Sequence, residues 1–370
     1  MSEALTHGSL FAGMGGLDLA IADVFGAETA WVSDVDPGAN LILAHRYPDA
    51  PNLGDITTVD WATVEPVDII SGGSPCQDLS HAGRRAGMKP GTRSGLWESM
   101  REAIAVLRPR YVVWENVHGA LSATASSDLE WCSGCMGSPT DRGPVLRALG
   151  RVLGDLADLG YDAQWHGLRA ADVGACHGRF RVFVLAADAR RGPLARLGTA
   201  GDGVPVSPER GDRALVLLPT PTTTQRGTDA NLDSRDGARA NLHNEVAKLL
   251  PTPTTEPMTG NGHARNLGKE VQLLAGDRWG QYAEAIARHE RAFGRPAPEP
   301  TEPGPRGNPR LSARFVEFMM MLPEGHVVDV PGLTRNQALK ALGNGVVPPQ
   351  AAYALRVMLA RFAQVWGWAA

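Results

Sequence analysis

The residue of this sequence best suited to chemistry is Cys76, in the polar segment GGSPCQDLS (residues 72–80) that follows an apolar run at 67–71. A thiolate is a strong nucleophile when its pKa is lowered, and the junction between a loop and a helix can lower it. Pro75 fixes the backbone φ angle just before Cys76 and so holds the thiol in place. Most free cysteines are buried structural groups, but such a thiol seldom lies among glycine, serine, glutamine and aspartate. We therefore interpret Cys76 as a nucleophile.

A glycine-rich turn, FAGMGG at residues 11–16, separates the first predicted strand from the first predicted helix. Glycines let the backbone approach a ligand closely, and the positive N-terminus of a helix attracts negative groups. A dinucleotide-binding fingerprint needs a third glycine at position 18, which is Asp18 here. The turn therefore indicates a nucleotide-like ligand without a pyrophosphate, although such a turn is equally often a packing feature. The next strand ends near Asp34, whose carboxylate can accept hydrogen bonds from ribose hydroxyls.

Two further features surround the predicted nucleophile. Glu115 follows the strand-like run at 111–114, and a carboxyl there can hydrogen-bond or protonate a ring nitrogen, although alone it would be an ordinary strand-end acid. The loop after Cys76 carries four cations, and no acid lies between residues 81 and 95. Cations among spaced glycines suit either a loop that closes on nucleic acid or a solvated surface loop. The four cations are Arg84, Arg85, Lys89 and Arg93.

These residues need a scaffold that brings strand ends together. Residues 1–116 alternate short apolar runs with helical patterns, which predicts a parallel α/β sheet. Strands are predicted at 6–11, 28–35, 52–55, 67–71, 111–114, 162–168 and 179–186. Helices are predicted after the glycine-rich turn, from Pro37, and at 144–159, 311–322 and 349–366.

The segment 188–310 differs in composition from the rest of the chain. Residues 190–310 hold 14 of the 27 prolines and carry 17 basic against 14 acidic side chains, whereas the other residues carry 19 against 26. The net charge of −4 therefore averages an acidic body and a basic insert, and it does not exclude nucleic acid as a partner. The segment contains LLPTPTT twice, at 217–223 and 249–255, which we interpret as two strand-and-turn units or a duplicated loop. Residues 294–309 are rich in proline and glycine, which is typical of a linker.

Six blocks in a fixed order make this chain resemble the DNA (cytosine-5)-methyltransferases. The first four are Gly13-x-Gly15-Gly16, Ser74-Pro75-Cys76-Gln77, Glu115-Asn116-Val117 and Arg179-x-Arg181, and the last two lie at 314–325 and 337–348. The resemblance implies a Rossmann-like, S-adenosylmethionine-dependent α/β sheet with an inserted, smaller target-recognition domain. It divides the chain into a catalytic part at 1–187, a target-recognition domain at 188–310 and a C-terminal catalytic part at 311–370.

The resemblance also implies a mechanism. A cytosine is flipped out of duplex DNA, and Cys76 adds to its C6 atom, so that C5 can take the methyl group of S-adenosylmethionine. Glu115 would bind or protonate N3, Arg181 would contact O2, and Arg179 would brace the site or bind a phosphate. The cofactor would lie on Phe11, Gly13, Gly15, Gly16, Asp34 at the ribose, Asp55 and Ile56 at the adenine, and Asn344 closing the pocket. DNA contacts would come from Ser80, Arg84, Arg85, Lys89, Arg93 and His177.

The sequence departs from the family pattern at three places. His177 stands behind Cys176 where the family usually has Pro-Gln, and an imidazole still offers a hydrogen bond. Asp34 stands where glutamate is usual. Cys132 and Cys135 have the spacing of half a zinc site, but a second ligand pair with suitable spacing is missing from the sequence. We therefore predict no metal and interpret the pair as a bare loop or the remnant of a zinc ribbon.

Other functions fit the sequence less well. The RNA-acting branch of the family carries a Cys-Phe-Thr element that this sequence lacks. Amino-directed DNA methylation uses a Pro-Pro-aromatic motif, and the single Pro-Pro here precedes Gln350. Asp18 disfavours an oxidoreductase. A non-catalytic DNA-binding relative would have lost Cys76, Glu115 or Arg181, and all three are present.

Composition also predicts the setting in which the protein works. Apolar runs stay below the roughly 18 residues of a membrane span, and the N-terminus lacks the features of a secretory signal. Four scattered cysteines are typical of a reducing compartment. We expect a cytoplasmic enzyme of a bacterial cell or phage-infected host, a monomer that acts on double-stranded DNA, with restriction–modification, phage self-protection and regulation all open as its role.

Overall fold

The computed structural model describes residues 4–74, 96–117, 120, 148–191, 217–218, 220–221, 279–304 and 309–366. The chain divides into two compact units. Unit 1 comprises Met1–Arg169, Phe180–Pro205 and Gly345–Ala370, and unit 2 comprises Ala170–Arg179 and Val206–Asn344. Residues 311–344, which the sequence grouped with the catalytic part, belong to unit 2. Where the target-recognition domain begins and ends stays a prediction.

Unit 1 is built on a sheet of six strands in the order β2-β1-β3-β4-β6-β5. The strands are β1 (Thr6–Leu10), β2 (Glu28–Ser33), β3 (Ile69–Gly72), β4 (Tyr111–Val117), β5 (Tyr161–Arg169) and β6 (Phe180–Asp188). Strands β1 to β4 pair in parallel, and β6 runs antiparallel to both β4 and β5. The predicted Rossmann-like α/β sheet is confirmed. Its parallel part ends at β4, so the carboxyl ends of β1 to β4 share one edge with the start of β6.

Eight α-helices lie in the described ranges. Unit 1 contains α1 (Gly16–Phe25), α2 (Pro37–Arg46), α3 (Trp97–Leu107), α4 (Ala148–Asp158) and α8 (Pro348–Trp366). Unit 2 contains α5 (Ala283–Phe293), α6 (Ala313–Met319), α7 (Arg335–Asn344) and the hairpin of β7 (Thr301–Pro303) and β8 (Pro309–Leu311). The helices predicted at 311–322 and 349–366 are confirmed, with slightly different ends.

The two helices beside the glycine-rich turn begin for local reasons. Gly15 lies in the left-handed region just before α1, and the apolar face predicted for this helix is buried. Pro37 occupies the first turn of α2, as predicted. The Asp36 carboxylate caps that helix by accepting hydrogen bonds from the amides of Gly38 and Ala39 at 2.9 and 3.1 Å.

Three predictions of local structure are wrong. The strand expected at 52–55 is a single bridge between Asn52 and Val32, because the Asn52 side chain binds neighbouring amides and Gly54 turns the chain at φ +75°. The expected linker at 294–309 contains β7 and the first residue of β8, and these two strands pair antiparallel. Helix α5 lies in the segment 188–310, where the sequence predicted strand-and-turn units or a duplicated loop and no helix; its buried face is formed by Ala285, Ile286 and His289.

The core of unit 1 is rich in aromatic side chains. Trp97 of α3 and Trp114 of β4 pack edge to face, with ring centroids 6.2 Å apart. The indole of Trp97 also donates to the buried carboxylate of Asp155 at 2.7 Å, which joins α3 to α4. These contacts fix β4, whose end carries Glu115. Across the described ranges, no helix combines the length and apolar character needed to cross a membrane.

Candidate active site

The predicted nucleophile Cys76 lies outside the described residues, as do the predicted DNA contacts Ser80, Arg84, Arg85, Lys89 and Arg93. Ser74 is the last residue described before this gap, and Leu96 is the first after it. The geometry of the site therefore comes from the residues around Ser74 and from the strand ends on either side of β3.

Glu115 and Arg181 form an ion pair, with Nε of the arginine 2.7 Å from Oε1 of the glutamate. Because Val117 lies opposite Arg181 in the antiparallel β4–β6 ladder, these two side chains are diagonal neighbours. Their side chains keep 11% and 13% of their surface exposed, so the pair is mostly buried with a small accessible part. A guanidinium and a carboxylate that pair with each other can each bind the polar edge of a ligand instead.

The segment that leads into the predicted nucleophile is fastened to β4. The buried hydroxyl of Ser74 accepts a hydrogen bond from the indole of Trp114 at 3.1 Å. The Asn116 amide donates to the Ser74 carbonyl at 3.3 Å. A Cβ at Gly73 would lie 3.0 Å from Oε2 of Glu115, so the backbone there passes close to the carboxylate. Asn116 and Ser74 were missed as positioning residues, although both stand inside the motifs that the sequence singled out.

The glycine-rich turn has the backbone shape that the sequence predicts. The amide of Phe11, itself at φ +54°, donates to the last carbonyl of β2 at 2.8 Å. Gly15 has φ +76°, a conformation that side chains disfavour. A Cβ at Gly16 would overlap the carbonyl oxygen of Val346. The turn is therefore held close to two other segments of unit 1 and could not accept larger residues at these positions.

Asp34 closes the end of β2 onto this turn. Its carboxylate accepts hydrogen bonds from the amides of Gly13 and Asp36, both at 2.8 Å. Burial raises the pKa of Asp34, and the two amide hydrogen bonds oppose that rise. The next residue, Val35, is 66% exposed.

The segment with Asp55 and Ile56 reaches the same strand end. The Ser33 hydroxyl donates to the carbonyl of Gly54 at 2.8 Å, which ties the segment to the end of β2. Asp55 caps a short 3-10 helix (Ile56–Thr58) by accepting from the amide and hydroxyl of Thr57 at 2.9 and 2.8 Å. These hydrogen bonds lower the pKa of the exposed Asp55 carboxyl. Ile56 is buried.

A buried polar cluster, missed by sequence reasoning, lies beneath the glycine-rich turn. His7 and Ser71 join β1 to β3, with the imidazole Nε2 2.8 Å from the serine hydroxyl. Nδ1 of the same ring lies 3.9 Å from the carboxylate of Asp18. Burial lowers the pKa of His7 to about 3 and raises that of Asp18 to about 6, so the ring is neutral at physiological pH. The cluster connects the first turn of α1 with the strand that precedes the predicted nucleophile.

Unit 2 holds the other predicted site residues. Arg179 is 4% exposed, and its Nη1 donates to the carbonyls of Gly343 and Pro221 at 2.9 and 3.4 Å. His177 is fully buried, with Nε2 3.0 Å from the carbonyl of Met319, and its predicted contact with DNA stays a prediction. Asn344 is the last residue of α7. Of the two roles left open for Arg179, this geometry favours bracing over phosphate binding.

This part of the site concerns the cysteine and histidine side chains that could bind a metal. Cys132 and Cys135 lie outside the described residues. Within the ranges that the structure describes, no three histidine, cysteine, aspartate or glutamate side chains are grouped as metal ligands. Cys176 is a free, buried thiol whose pKa burial raises to about 12. A thiol held protonated in this way is unsuited to nucleophilic attack.

Curated proteins similar to this chain are DNA-modifying enzymes by name. The Type II methyltransferase M.AquIA of Picosynechococcus sp. is 32% identical over 186 residues, which cover 48% of this chain and 69% of that protein. The Type II methyltransferase M.NlaIV of Neisseria lactamica is 28% identical over 180 residues, which cover 47% of this chain. The match spans 39% of the length of M.NlaIV, and equally 39% of M.NgoBV of Neisseria gonorrhoeae.

Solved structures share the fold along almost the whole chain. The S. pombe Dnmt2 methyltransferase superposes with a TM-score of 0.52 at 14% identity, covering 97% of this chain and 99% of that one. The Entamoeba histolytica methyltransferase EhMeth gives a TM-score of 0.52 at 12% identity, covering 98% and 99%. The sequence profile of C-5 cytosine-specific DNA methylases matches residues 5–359. This chain therefore belongs to the C-5 cytosine-specific DNA methylase family.

Proposed function

We propose that the protein transfers a methyl group from S-adenosylmethionine to C5 of a flipped cytosine in a specific duplex DNA sequence, through a covalent bond between Cys76 and C6. The observation that carries the proposal is the Glu115–Arg181 ion pair at 2.7 Å, beside the backbone that leads into Cys76. Cytosine presents two acceptors, N3 and O2, side by side, so a protonated Glu115 carboxyl would donate to N3 while the Arg181 guanidinium donates to O2.

The glycine-rich turn fits S-adenosylmethionine. Gly15 at φ +76° and the close approach at Gly16 leave backbone rather than side chains at the end of β1. Asp34 keeps a carboxylate at the neighbouring strand end, and Asp55 supplies a second one on the exposed side. In the proposed site, Asp34 holds the ribose and Asp55 with Ile56 holds the adenine. S-adenosylmethionine supplies an electrophilic methyl group when it is bound there.

The residues of this chain then act in sequence on the cytosine. The Cys76 thiolate forms a bond to C6, and the displaced electron pair moves into the ring toward C5 and N3. Glu115 hydrogen-bonds or protonates N3, and Arg181 binds O2, so the pair that these side chains form with each other is replaced by contacts to the base. After C5 has gained the methyl group, a water molecule takes the C5 proton, the electron pair of that bond restores the C5–C6 double bond, and the C6–sulfur bond breaks to regenerate the thiolate of Cys76.

We also infer how the remaining parts serve this reaction. The basic, proline-rich segment 188–310 reads the target sequence, and the loop cations Arg84, Arg85, Lys89 and Arg93 bind phosphates. Ser80 and His177 complete the DNA contacts, and Asn344 closes the cofactor pocket. The enzyme works as a monomer in the cytoplasm.

Expression in a host that lacks DNA methylation tests this function without knowledge of the target sequence. Sequencing of the modified bases in host DNA should find 5-methylcytosine in one sequence context. Methylation of adenine, of the cytosine amino group or of RNA alone would contradict the proposal. The result identifies the target at the same time.

Two cysteine variants make this test specific. Cys76→Ala should abolish methylation, because no thiolate is left to add to C6, while the Kd for S-adenosylmethionine stays within about twofold of the parent value. Cys132→Ala is the matched control and should methylate normally. Persistent methylation by Cys76→Ala would show that the nucleophile is assigned wrongly.

A further inference from the structure

The LLPTPTT repeat has no part in the proposed function, yet its first copy is attached to a motif that does. The copies occupy residues 217–223 and 249–255 and are identical in sequence. Leu217, Leu218, Thr220 and Pro221 of the first copy are described. All four belong to unit 2, as do Ala170–Arg179, so their contacts with the turn at 176–179 are internal to one compact body.

Backbone groups join the first copy to this turn. The amide of Leu218 donates to the carbonyl of Cys176 at 2.9 Å, and Leu218 forms a parallel bridge with His177. The Leu218 side chain is 2% exposed. A Cβ at Gly178 would lie 3.5 Å from Cδ1 of Leu217, so the leucine covers the turn at ordinary contact distance. An apolar side chain and a backbone hydrogen bond thus attach the segment at adjacent positions.

The same segment supplies a partner for a buried cation. The Arg179 guanidinium donates through Nη1 to the Pro221 carbonyl at 3.4 Å and to the Gly343 carbonyl at 2.9 Å. A buried charge is stable only when hydrogen bonds replace its lost water, so both carbonyls contribute to holding Arg179 inside unit 2. Without the segment, the guanidinium keeps one of these two acceptors.

The turn is held on its other side by histidines. The amide of Cys176 donates to Nδ1 of His289 at 3.1 Å, and the His177 ring contacts the carbonyl of Met319 at 3.0 Å. Residues 176–179 therefore lie between a fixed helical framework and the first repeat copy. Removal of the copy would free one face of the turn and leave the other attached.

We propose that Leu217, Leu218, Thr220 and Pro221 form a docking segment that positions Arg179, and since the first copy occupies this place, the second copy cannot dock there at the same time. The proposal rests on the proposed function, in which Arg179 braces the site and Arg181, two residues along the chain, binds the base. It gives the first copy a purpose, because this copy anchors part of the region proposed to read DNA to the arginine motif.

The repeat provides its own matched control. Leu218→Asp places a carboxylate in a buried apolar position of the first copy, and Leu250→Asp makes the same change at the same place of the second copy. Leu218→Ala and Leu250→Ala form a milder pair for use if the aspartate variant of the first copy does not fold. Far-UV circular dichroism and a thermal melt establish folding for each protein.

Two readouts separate docking from catalysis. Cys176 is 0% exposed, so alkylation of its thiol, followed by peptide mass mapping, reports whether the turn is covered. We expect Leu218→Asp to be alkylated at Cys176 about tenfold faster than the parent, and Leu250→Asp at the parent rate, because only local opening exposes this thiol. We also expect kcat for methylation to fall about tenfold in Leu218→Asp, with KM for S-adenosylmethionine within about twofold.

Each outcome decides between the two claims. Equal alkylation in the paired variants, or an unchanged kcat in a Leu218 variant whose Cys176 is freely alkylated, would overturn the docking proposal and leave the proposed function intact. A parent protein that methylates no DNA, but whose Cys176 becomes reactive only in the Leu218 variants, would overturn the proposed function and keep the docking segment as a structural anchor.

Discussion

Two arginines separated by one residue are held in opposite ways in the two units. Arg181 of unit 1 pairs with the Glu115 carboxylate, and 13% of its side chain remains exposed. Arg179 of unit 2 is buried and donates to backbone carbonyls. A guanidinium that pairs with a carboxylate can bind a substrate in place of that partner. A buried guanidinium that donates to backbone carbonyls instead stabilises the fold. Two arginines of one motif therefore differ in their surroundings, and we propose that Arg181 contacts the substrate while Arg179 supports the fold.

Arg181→Ala should give the largest effect on activity. We expect kcat/KM for methylation to fall by about 10²- to 10⁴-fold, because the variant loses the donor to O2 and leaves Glu115 without its counter-charge. Steady-state kinetics on a duplex that contains the target sequence measures this. Arg181→Lys keeps the charge without the planar fork and should recover only part of the loss. Full activity in Arg181→Ala would break the distinction between the two arginines.

Arg179→Ala should act mainly on stability. The carbonyls of Gly343 and Pro221 lose a charged donor, which should lower the free energy of unfolding by about 2 kcal/mol. Urea denaturation followed by circular dichroism measures the change. Arg310→Ala is a suitable control, because that arginine is partly exposed and pairs with Glu302 at 3.0 Å, so its removal should cost less than about 1 kcal/mol. A stability loss no larger than that of the control would contradict the bracing role.

Gly16→Ala should weaken the binding of S-adenosylmethionine. A Cβ at this position overlaps the Val346 carbonyl, so the turn must move. We expect the Kd for S-adenosylmethionine to rise about tenfold, measured by isothermal titration calorimetry. Gly26→Ala, at the other end of α1, meets no atom within 4 Å but has φ +61°, and it should cost about 1 kcal/mol of stability without changing the Kd. Equal Kd values for both variants would remove the turn from the cofactor site.

Asp18 should make the stability of the protein depend on pH. Its pKa is raised from an ordinary 3.8 to about 6 by burial, so the unfolded chain ionises first as pH rises and the native state loses stability between about pH 4 and pH 6. Asparagine cannot ionise, so the free energy of unfolding of Asp18→Asn should rise relative to that of the parent by roughly 2 kcal/mol between pH 4 and pH 6. Urea denaturation of both proteins at pH 4.5 and pH 7 checks it. A gap that stays constant or narrows would contradict a buried, neutralised carboxyl.

The sequence predicted the sheet and the strand-end positions of the site because these depend on short local patterns. Apolar runs mark β1, β3 and β4, and the polar residue that follows each run marks the edge where a ligand binds. The same reasoning failed at 52–55, where one asparagine side chain satisfies the backbone and replaces a strand. Local composition does not reveal that the hydrogen bonds of an asparagine side chain compete with the backbone hydrogen bonds between strands.

The pairing of site residues could not be predicted in the same way. Glu115 meets Arg181 only because β6 inserts antiparallel beside β4 in one particular register. Arg179 finds its acceptors 42 and 164 residues away, at Pro221 and Gly343. Such contacts are set by tertiary packing. The motifs therefore identified the residues, but the different surroundings of the two arginines could be seen only in the fold.

The central claim is that Cys76 attacks C6 of the target cytosine, and covalent trapping tests it most directly. A duplex with 5-fluorocytosine at the methylated position is incubated with the protein and S-adenosylmethionine, because fluorine at C5 cannot leave as a proton does and the cysteine stays attached. Intact mass and peptide mapping should find one adduct of protein with methylated DNA, located at Cys76. A protein that binds this duplex and the cofactor but forms no adduct, or forms one at another residue, would contradict the account.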